Sequence, residues 1–404
     1  MLKRLSLAVI ISGLWGVNNA NAQVGQDASS VNMGPFDLVP KVTTGLEYND
    51  NLIRSASGSV DSWSFFVAPE LGMYTSLGAS DFSVRYRLSD KNHFSSSEDD
   101  YTDHLLVANV DIDLNARNRI RSGVRFEDGH DARGTGFSIG SGDTLVEPDQ
   151  YKRSSVDFLY SYGASGADGR LNVDFKVDNL DYDIATFQYL ARDRKRTTLG
   201  GTFFYRVGPA TDLTFDARRS YIDYKVALNP ANPFDSKQDE FLVGLSWEAT
   251  SQTSGFAKIG YQTKSFDSNE RDDFNGVDWE IGMIWEPVSY SEFTFKTESQ
   301  TNETNGEGDF IQADLYEFAW EHEWLARLSS NVRLNFRNDT YEGVALLGQE
   351  LRSDDNFEGA VSVNYDFRRW VKFQVTYQYT ERDSNRSFVN FDQNLFMFNA
   401  YLSL

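Results

Sequence analysis

The chain has 404 residues, no cysteine, 14% aromatic residues and a formal charge of −22, with a mean hydropathy of −0.48. So acidic a chain has no electrostatic footprint for nucleic acid, and the absence of Cys excludes disulfides and thiol chemistry. Aromatic and β-branched residues are too abundant for a disordered chain. Beyond the N-terminal segment, no apolar run reaches the roughly 20 residues of a spanning helix.

Residues 1–22 read as a secretory signal peptide. Lys3 and Arg4 form a basic start, Leu5 to Val17 is a short apolar run, and Ala20-Asn21-Ala22 is a small-residue cleavage site between Ala22 and Gln23. Losing the two basic residues Lys3 and Arg4 takes the charge from −22 to −24. No Cys follows the site, which excludes a lipoprotein anchor. Residues 23–37 lack periodicity and read as a short periplasmic segment. A single domain is expected over 38–404.

From Val39 onward one unit repeats: an alternating run, a long polar loop, a second run, a short turn. Period 2 puts successive side chains on opposite faces of a sheet. The first runs are Val42–Tyr48, Trp63–Thr75, Phe82–Leu88, His104–Leu114 and Ile120–Phe126. In Phe82–Leu88 the face of Phe82, Val84, Tyr86 and Leu88 is apolar, while Ser83, Arg85 and Arg87 oppose it. Val156–Tyr162, Leu171–Val177, Thr197–Val207, Leu213–Tyr221, Phe241–Trp247, Ala257–Tyr261 and Val277–Trp285 continue the pattern. Phe293–Phe295, Tyr316–Trp324, Val332–Phe336, Phe357–Phe367 and Val371–Tyr379 bring it to the last run, Asn394–Leu404.

Long connections at 49–61, 89–102, 128–150, 183–194, 225–238, 266–275, 299–312, 340–353 and 381–391 alternate with short turns. Short turns on one side and long loops on the other is the rule of outer-membrane barrels. The predicted fold is therefore all-β: a transmembrane antiparallel up-and-down barrel of about 18 strands in a Gram-negative outer membrane. Its last strand carries Phe396, Phe398, Ala400, Leu402 and Leu404 on one face and closes against Val42–Tyr48. That face resembles a C-terminal barrel-assembly signal, read by the barrel assembly machinery, with Leu404 where an aromatic is usual. Aromatics at run ends, among them Tyr48, Trp63, Trp247, Trp285, Trp324 and Trp370, suit the two interfacial girdles.

A charge facing lipid at midplane costs about 2–4 kcal/mol, so strand charges should face the lumen. They sort along the chain. Arg85, Arg87, Arg119, Arg121, Arg125, Arg153, Arg170, Lys176 and Arg218 come first; Glu240, Glu248, Asp278, Glu280, Glu292, Glu317, Glu321, Glu323 and Glu358 follow. In an up-and-down barrel chain order is angular order, so a basic wall would oppose an acidic one across a wet channel. The competing reading is local pairing, since Asp111, Asp113, Asp157 and Asp174 lie among the basic residues.

Chemistry is sparse. None of the four His (His93, His104, His130, His322) sits in a triad or metal-ligand pattern, so neither an enzyme nor a cofactor is expected. Glu98-Asp99-Asp100 and Asp272-Asp273 could hold calcium or could be solvated loop tips.

Tyr48-Asn49-Asp50-Asn51, Asp99-Asp100-Tyr101, Arg133-Gly134-Thr135-Gly136, Pro148-Asp149-Gln150-Tyr151, Leu180-Asp181-Tyr182 and Arg192-Asp193-Arg194 together resemble the outer-membrane β-barrel porin family found with exopolysaccharide and capsule biosynthesis. The resemblance implies a barrel that passes polysaccharide outward beside a periplasmic polysaccharide-export protein, among outer-membrane lipid and lipopolysaccharide. Inward aromatics such as Phe66 and Tyr74 could stack on sugar rings or simply fill space. Passive uptake of sugars or other small solutes is the alternative, and an outer-membrane enzyme or adhesin a third.

Overall fold

The computed structural model describes residues 30–403 apart from 165, 184–188, 190, 228, 249–251 and 345–349. The cleavage site at Ala22 and Gln23, and Leu404, lie outside the described residues. Among the described residues nineteen strands follow one another. They are β1 (Val31–Met33), β2 (Phe36–Asn49), β3 (Ser62–Leu77), β4 (Ser80–His93), β5 (Tyr101–Asn115), β6 (Asn118–Asp131), β7 (Asp149–Tyr162), β8 (Gly169–Tyr182), β9 (Arg194–Gly208) and β10 (Thr211–Tyr224). The second half holds β11 (Ser236–Trp247), β12 (Thr253–Phe266), β13 (Phe274–Val288), β14 (Ser291–Glu303), β15 (Phe310–Leu325), β16 (Leu328–Glu342), β17 (Ser353–Arg368), β18 (Val371–Ser384) and β19 (Phe391–Ser403).

Each strand from β2 to β19 pairs antiparallel with its chain neighbours, and β19 pairs back onto β2 from Leu395↔Asn49 to Ser403↔Lys41. The result is a closed barrel of 18 strands. Closure follows from the solvent: lipid offers no hydrogen bonds, so a sheet with free edges cannot stand in it. The short β1 folds back on the start of β2 through a turn at Gly34, whose φ is 71°. The segment before the barrel thus carries a small hairpin where the sequence showed no periodicity.

Alternation sets the two faces. Leu46, Phe65, Met73, Tyr86, Phe126, Phe158, Phe203, Phe241, Ile259, Val277, Phe295, Val361 and Phe398 are all exposed and form the lipid face. The outer surface also carries aromatic clusters near both ends. Tyr48 and Trp63 lie 5.3 Å apart on the long-loop side, and Trp285, Phe293 and Trp320 stack on the short-turn side. Trp320 and Trp324 donate their indole N–H groups to Ser291 and Ser330, giving each ring an apolar body and a satisfied polar tip. Strands run several residues further into the loops than apolar alternation suggests, because their upper ends alternate among polar residues: the segment 89–102 shrinks to 94–100 between β4 and β5.

One pair of strands breaks the pattern. β13 and β14 share only seven register pairs, from Glu280↔Glu298 to Val288↔Ser291, although β13 begins at Phe274 and β14 runs to Glu303. Every other barrel pair shares nine or more. Above the seventh pair the β14–β15 hairpin leaves the wall. Its residues are buried on both faces: Ser299, Thr301, Asn302, Phe310, Ile311 and Ala313 are all at most 9% exposed. Glu303, whose phase matches outward Phe295, reaches Lys264 on the inner face of β12 and Arg196 on that of β9. The hairpin is therefore folded into the lumen.

The lipid-face assignment has a direct test. Phe398 sits mid-strand in β19, half exposed. Phe398→Arg should destabilise the inserted barrel by about 2–4 kcal/mol, read as a lower folded fraction by heat-modifiable gel mobility of outer-membrane preparations. Phe398→Leu should fold normally.

Candidate functional site

The candidate site is the lumen together with the long loops that pack on one another at one end of it. The inner wall contains the basic positions read from the sequence, and most are paired. On β5 and β6, Arg119 reaches Asp113 with an Nη2–Oδ2 distance of 2.9 Å, and Arg121 reaches Asp111 at 3.0 Å. Arg125 pairs with Glu127 at 2.8 Å, Arg153 with Asp178 at 3.0 Å, and Arg85 lies 3.9 Å from Glu70. Arg170 and Arg206 share Asp212. Arg218 bonds Glu240 at 2.8 Å and approaches Glu280, which Lys258 also meets at 3.3 Å. Lys176 stands opposite Asp157, and Arg87 opposite Glu70.

The acidic side is compensated less. Glu292 stands opposite Glu321, and Glu280 opposite Glu298. Glu317 stands opposite Lys296, whose ammonium bonds Glu298. Asparagine amides donate to Glu321 and Glu358. Asp278 is buried, and Glu248 and Glu323 lie at the short-turn ends of β11 and β15. Arginines held on carboxylates beside them contribute little net field, and Lys258 and Lys296 offset Glu280 and Glu298 in the same way, so the negative potential is centred on the Glu292–Glu321 pair.

Between the charged zones the wall is neutral and polar. On β17 to β19, Gln374 donates to Asn364 at 2.9 Å and accepts from Asn399 and from the hydroxyl of Tyr401. Ser362 and Thr376 bond each other at 2.8 Å. Phe66 continues the strip onto β3, beside Asn399 at Gly45, where a side chain would collide with both. Tyr74, at the short-turn end of β3, is more than a third exposed.

The long loops form a connected cap. Asn49 accepts from the Asn51 amide, Asn51 holds Ser55 and Asp392, and Asp50 holds Asn394, so the first loop is stitched to β19. Arg54 at its turn has φ 50°, a rare left-handed conformation for a side-chain-bearing residue. Its guanidinium lies over Phe391; burial lowers its pKa, with Glu358 acting in the opposite sense. The longest loop packs on the first at Gly134. There φ is 78°, and a Cβ would stand 2.0 Å from the Ile53 carbonyl oxygen, so only glycine fits.

Arg133 latches this loop to the loop before β5. It bonds Asp99 through Nε at 2.7 Å and Nη2 at 2.5 Å, and reaches Ser96 and the Leu145 carbonyl. Burial alone would raise the Asp99 carboxyl, but the Arg133 and Ser96 hydrogen bonds outweigh it and hold it below its ordinary value. Phe137 packs on Tyr182 and under Arg192, 3.5 Å from guanidinium carbon to ring centre. Arg192 in turn lies against Gly306 at the tip of the inward hairpin. On the opposite side Arg271 pairs with Asp309, and Arg386 with Glu307.

The acidic loop clusters are thus engaged within the protein. Asp99 holds Arg133, Asp100 accepts from the His93 amide and Asp273 from the Phe266 amide. Among the described residues no group of His, Cys, Asp or Glu is arranged to hold a metal ion. The short motifs of the sequence, including Arg133-Gly134 and Arg192-Asp193, converge on the cap. The cluster that sequence reasoning missed is Glu303 with Lys264 at 2.7 Å, Tyr224 at 2.8 Å and Arg196 at 3.3 Å. Its signal was available for two members: Lys264 and Arg196 extend the inward phase of their strands. Glu303 carried none, because its hairpin leaves the wall.

Closure, lipid face and charged lumen together define an outer-membrane β-barrel channel. The family described as "Putative beta-barrel porin 2" matches residues 26–403, and the chain belongs to that family. No curated protein matches the chain. Among solved structures, Pseudomonas aeruginosa OpdK with vanillate is similar at 11% identity and a TM-score of 0.48, covering 91% of this chain and 99% of that one. The OpdL structure from the same organism is similar at 12% identity and 0.46, with the same coverage. The FrpB iron transporter of Neisseria meningitidis (F3-3 variant) is similar at 11% identity and 0.47, covering 86% of this chain, which spans 62% of the transporter. At these scores the overlap says nothing about what the channel carries.

Two measurements probe this arrangement. Arg133→Ala should free the cap at a cost of about 3–5 kcal/mol to its closed form, seen as higher single-channel conductance. Because the Asp99 pKa is depressed on folding, the latch holds fully above the ordinary carboxylate range and is lost as pH falls through the lowered value. The difference in conductance between wild type and Arg133→Ala should therefore persist from neutral pH to about 5 and vanish as pH falls below about 4. Separately, replacing Arg85, Arg121 and Arg125 with Glu together should shift ion selectivity toward cations while the barrel still assembles.

Proposed function

We propose that this barrel conducts polysaccharide outward across the outer membrane, acting with a periplasmic polysaccharide-export protein at its short-turn end. In this reading the assembly machinery inserts the barrel and its outer face meets lipopolysaccharide. The observation that carries the proposal is the uncharged strip of Asn364, Gln374, Asn399, Tyr401 and Phe66 along the inner wall. Amides and hydroxyls offer donors and acceptors that match sugar hydroxyls, and aromatic rings offer flat apolar faces for pyranose rings. Asn364, Gln374 and Asn399 are at most 8% exposed, so a passing chain meets them by exchanging one neutral hydrogen bond for another, which holds it more weakly than an ion pair would. The cap must open for a polymer to leave, and the Arg133–Asp99 latch is the contact that would release it.

The same lining would serve passive uptake of sugars or other small solutes; direction separates the two. Deleting the gene should lower cell-surface polysaccharide and raise the periplasmic pool. Unchanged surface polysaccharide would leave uptake as the function. Gln374→Ala with Tyr401→Phe removes hydrogen bonds worth about 1 kcal/mol each to a sugar, about a fivefold loss of affinity apiece. It should reduce block of ion current by purified oligosaccharide, measured on the folded fraction.

A further inference from the structure

We propose that the seam between β13 and β14 is a lateral passage through the barrel wall for a single-chain amphiphile. Three observations carry it, none of which depends on polysaccharide conduction. The ladder stops at Glu280↔Glu298, which leaves Phe274–Trp279 of β13 with no register partner on the β14 side. Unpaired strand edge at lipid depth is costly and is found where backbone lines a cavity or is covered by protein. The strand's outward residue Val277 is 57% exposed and stands beside Tyr261, 45% exposed. The seam therefore opens at the level of apolar side chains, toward the outer leaflet.

The second observation is what lies behind the seam. Phe274 and Phe266 face inward, and Phe310 of the displaced hairpin meets them at 4.9 and 6.3 Å between ring centres. Phe310 is 2% exposed. The three rings form an aromatic pocket, and it adjoins the gap in the wall. Thirdly, the closure is polar. Trp279 donates to Thr297 at 3.0 Å across the lower end of the seam, and Glu303 ties the hairpin to Lys264 and Arg196. Gln262 and Thr301, buried on the two sides of this junction, keep side-chain polar atoms without partners, so the junction is incompletely satisfied as it stands.

An acyl chain entering through the seam would replace Phe310 against Phe266 and Phe274, while its headgroup would stay with the polar lumen. A phosphate on the headgroup would take the place of the Glu303 carboxylate that Lys264 and Arg196 now hold.

The test uses dodecylphosphocholine bearing a diazirine near the end of its chain, with the full-length mature protein in lipid bilayers. Photolysis should label peptides containing Phe266, Phe274 and Phe310 as well as the lipid-facing peptide around Phe398. Asn275→Trp with Val277→Trp, both at exposed positions, fills the seam from outside. It should lower labelling of the Phe310 peptide several-fold and leave labelling around Phe398 unchanged. Absence of label at Phe310 in the wild type, or label there undiminished in the filled variant, overturns the passage. Should the double variant fail heat-modifiable mobility, Asn275→Trp alone gives the same comparison. Block of ion current by oligosaccharide is measured in parallel and reports on polysaccharide conduction independently.

Discussion

The structure depends on one constraint: in a bilayer every backbone N–H and C=O must find its partner within the protein. That demand closes β19 onto β2 and fixes the register all round the barrel. Fixing the register then fixes which side chains meet lipid. A slip of one residue would turn Phe398 inward and Asn399 outward, so the apolar face and the closing pair specify each other. The polar lumen is what remains once the outward positions have been assigned.

Inside, the same economy applies to charge. A buried cation costs several kcal/mol without a partner, and Lys264, fully buried, has Glu303 at 2.7 Å. Along β4 to β10 the arginines find carboxylates on their own or nearby strands, so the basic half of the wall is largely self-neutralised. On β14 and β15 Glu292 stands opposite Glu321, whereas Glu280 and Glu298 have Lys258 and Lys296 beside them. Chain order sorts the charges, as the sequence suggests, but pairing decides how much of that sorting survives as a field.

The barrel was legible in the sequence because a two-residue period over about 18 runs, with long loops and short turns in alternation, is what lipid demands of a closed sheet. A soluble sandwich has no reason to sort its loops that way. Strand ends were less legible, since polar residues alternating with polar residues look like loop. Segment 299–312 is the clearest case. It reads as a polar loop, yet most of it is the upper part of β14 and β15, bent into the lumen. No local pattern announces that bend, because what stabilises it is distant: Lys264 and Arg196 on strands β12 and β9. The motifs around Asn51, Arg133 and Arg192 were legible as motifs and not as roles; only their convergence in the cap shows what they hold together.

The cap and the inward hairpin are one mechanical unit. Arg192 packs on Phe137 of the longest loop and against Gly306 at the hairpin tip, and the same loop is latched by Arg133 to Asp99. Coupling between two sites requires an element whose alternative positions both of them bias, and Arg192 touches both candidates. Gly306 is suited to this, because with φ 112° and no side chain it lets the guanidinium approach its backbone closely. A loop movement that carries Phe137 away removes the surface on which Arg192 lies. The hairpin then loses its contact from above and is left with the Glu303 cluster and its links to Arg271 and Arg386. A second link runs parallel to it, since Glu307 of the hairpin holds Arg386 of the last loop, whose Val389 and Phe388 lie against Gly140 of the longest loop, so a shift of the cap reaches the hairpin from two sides.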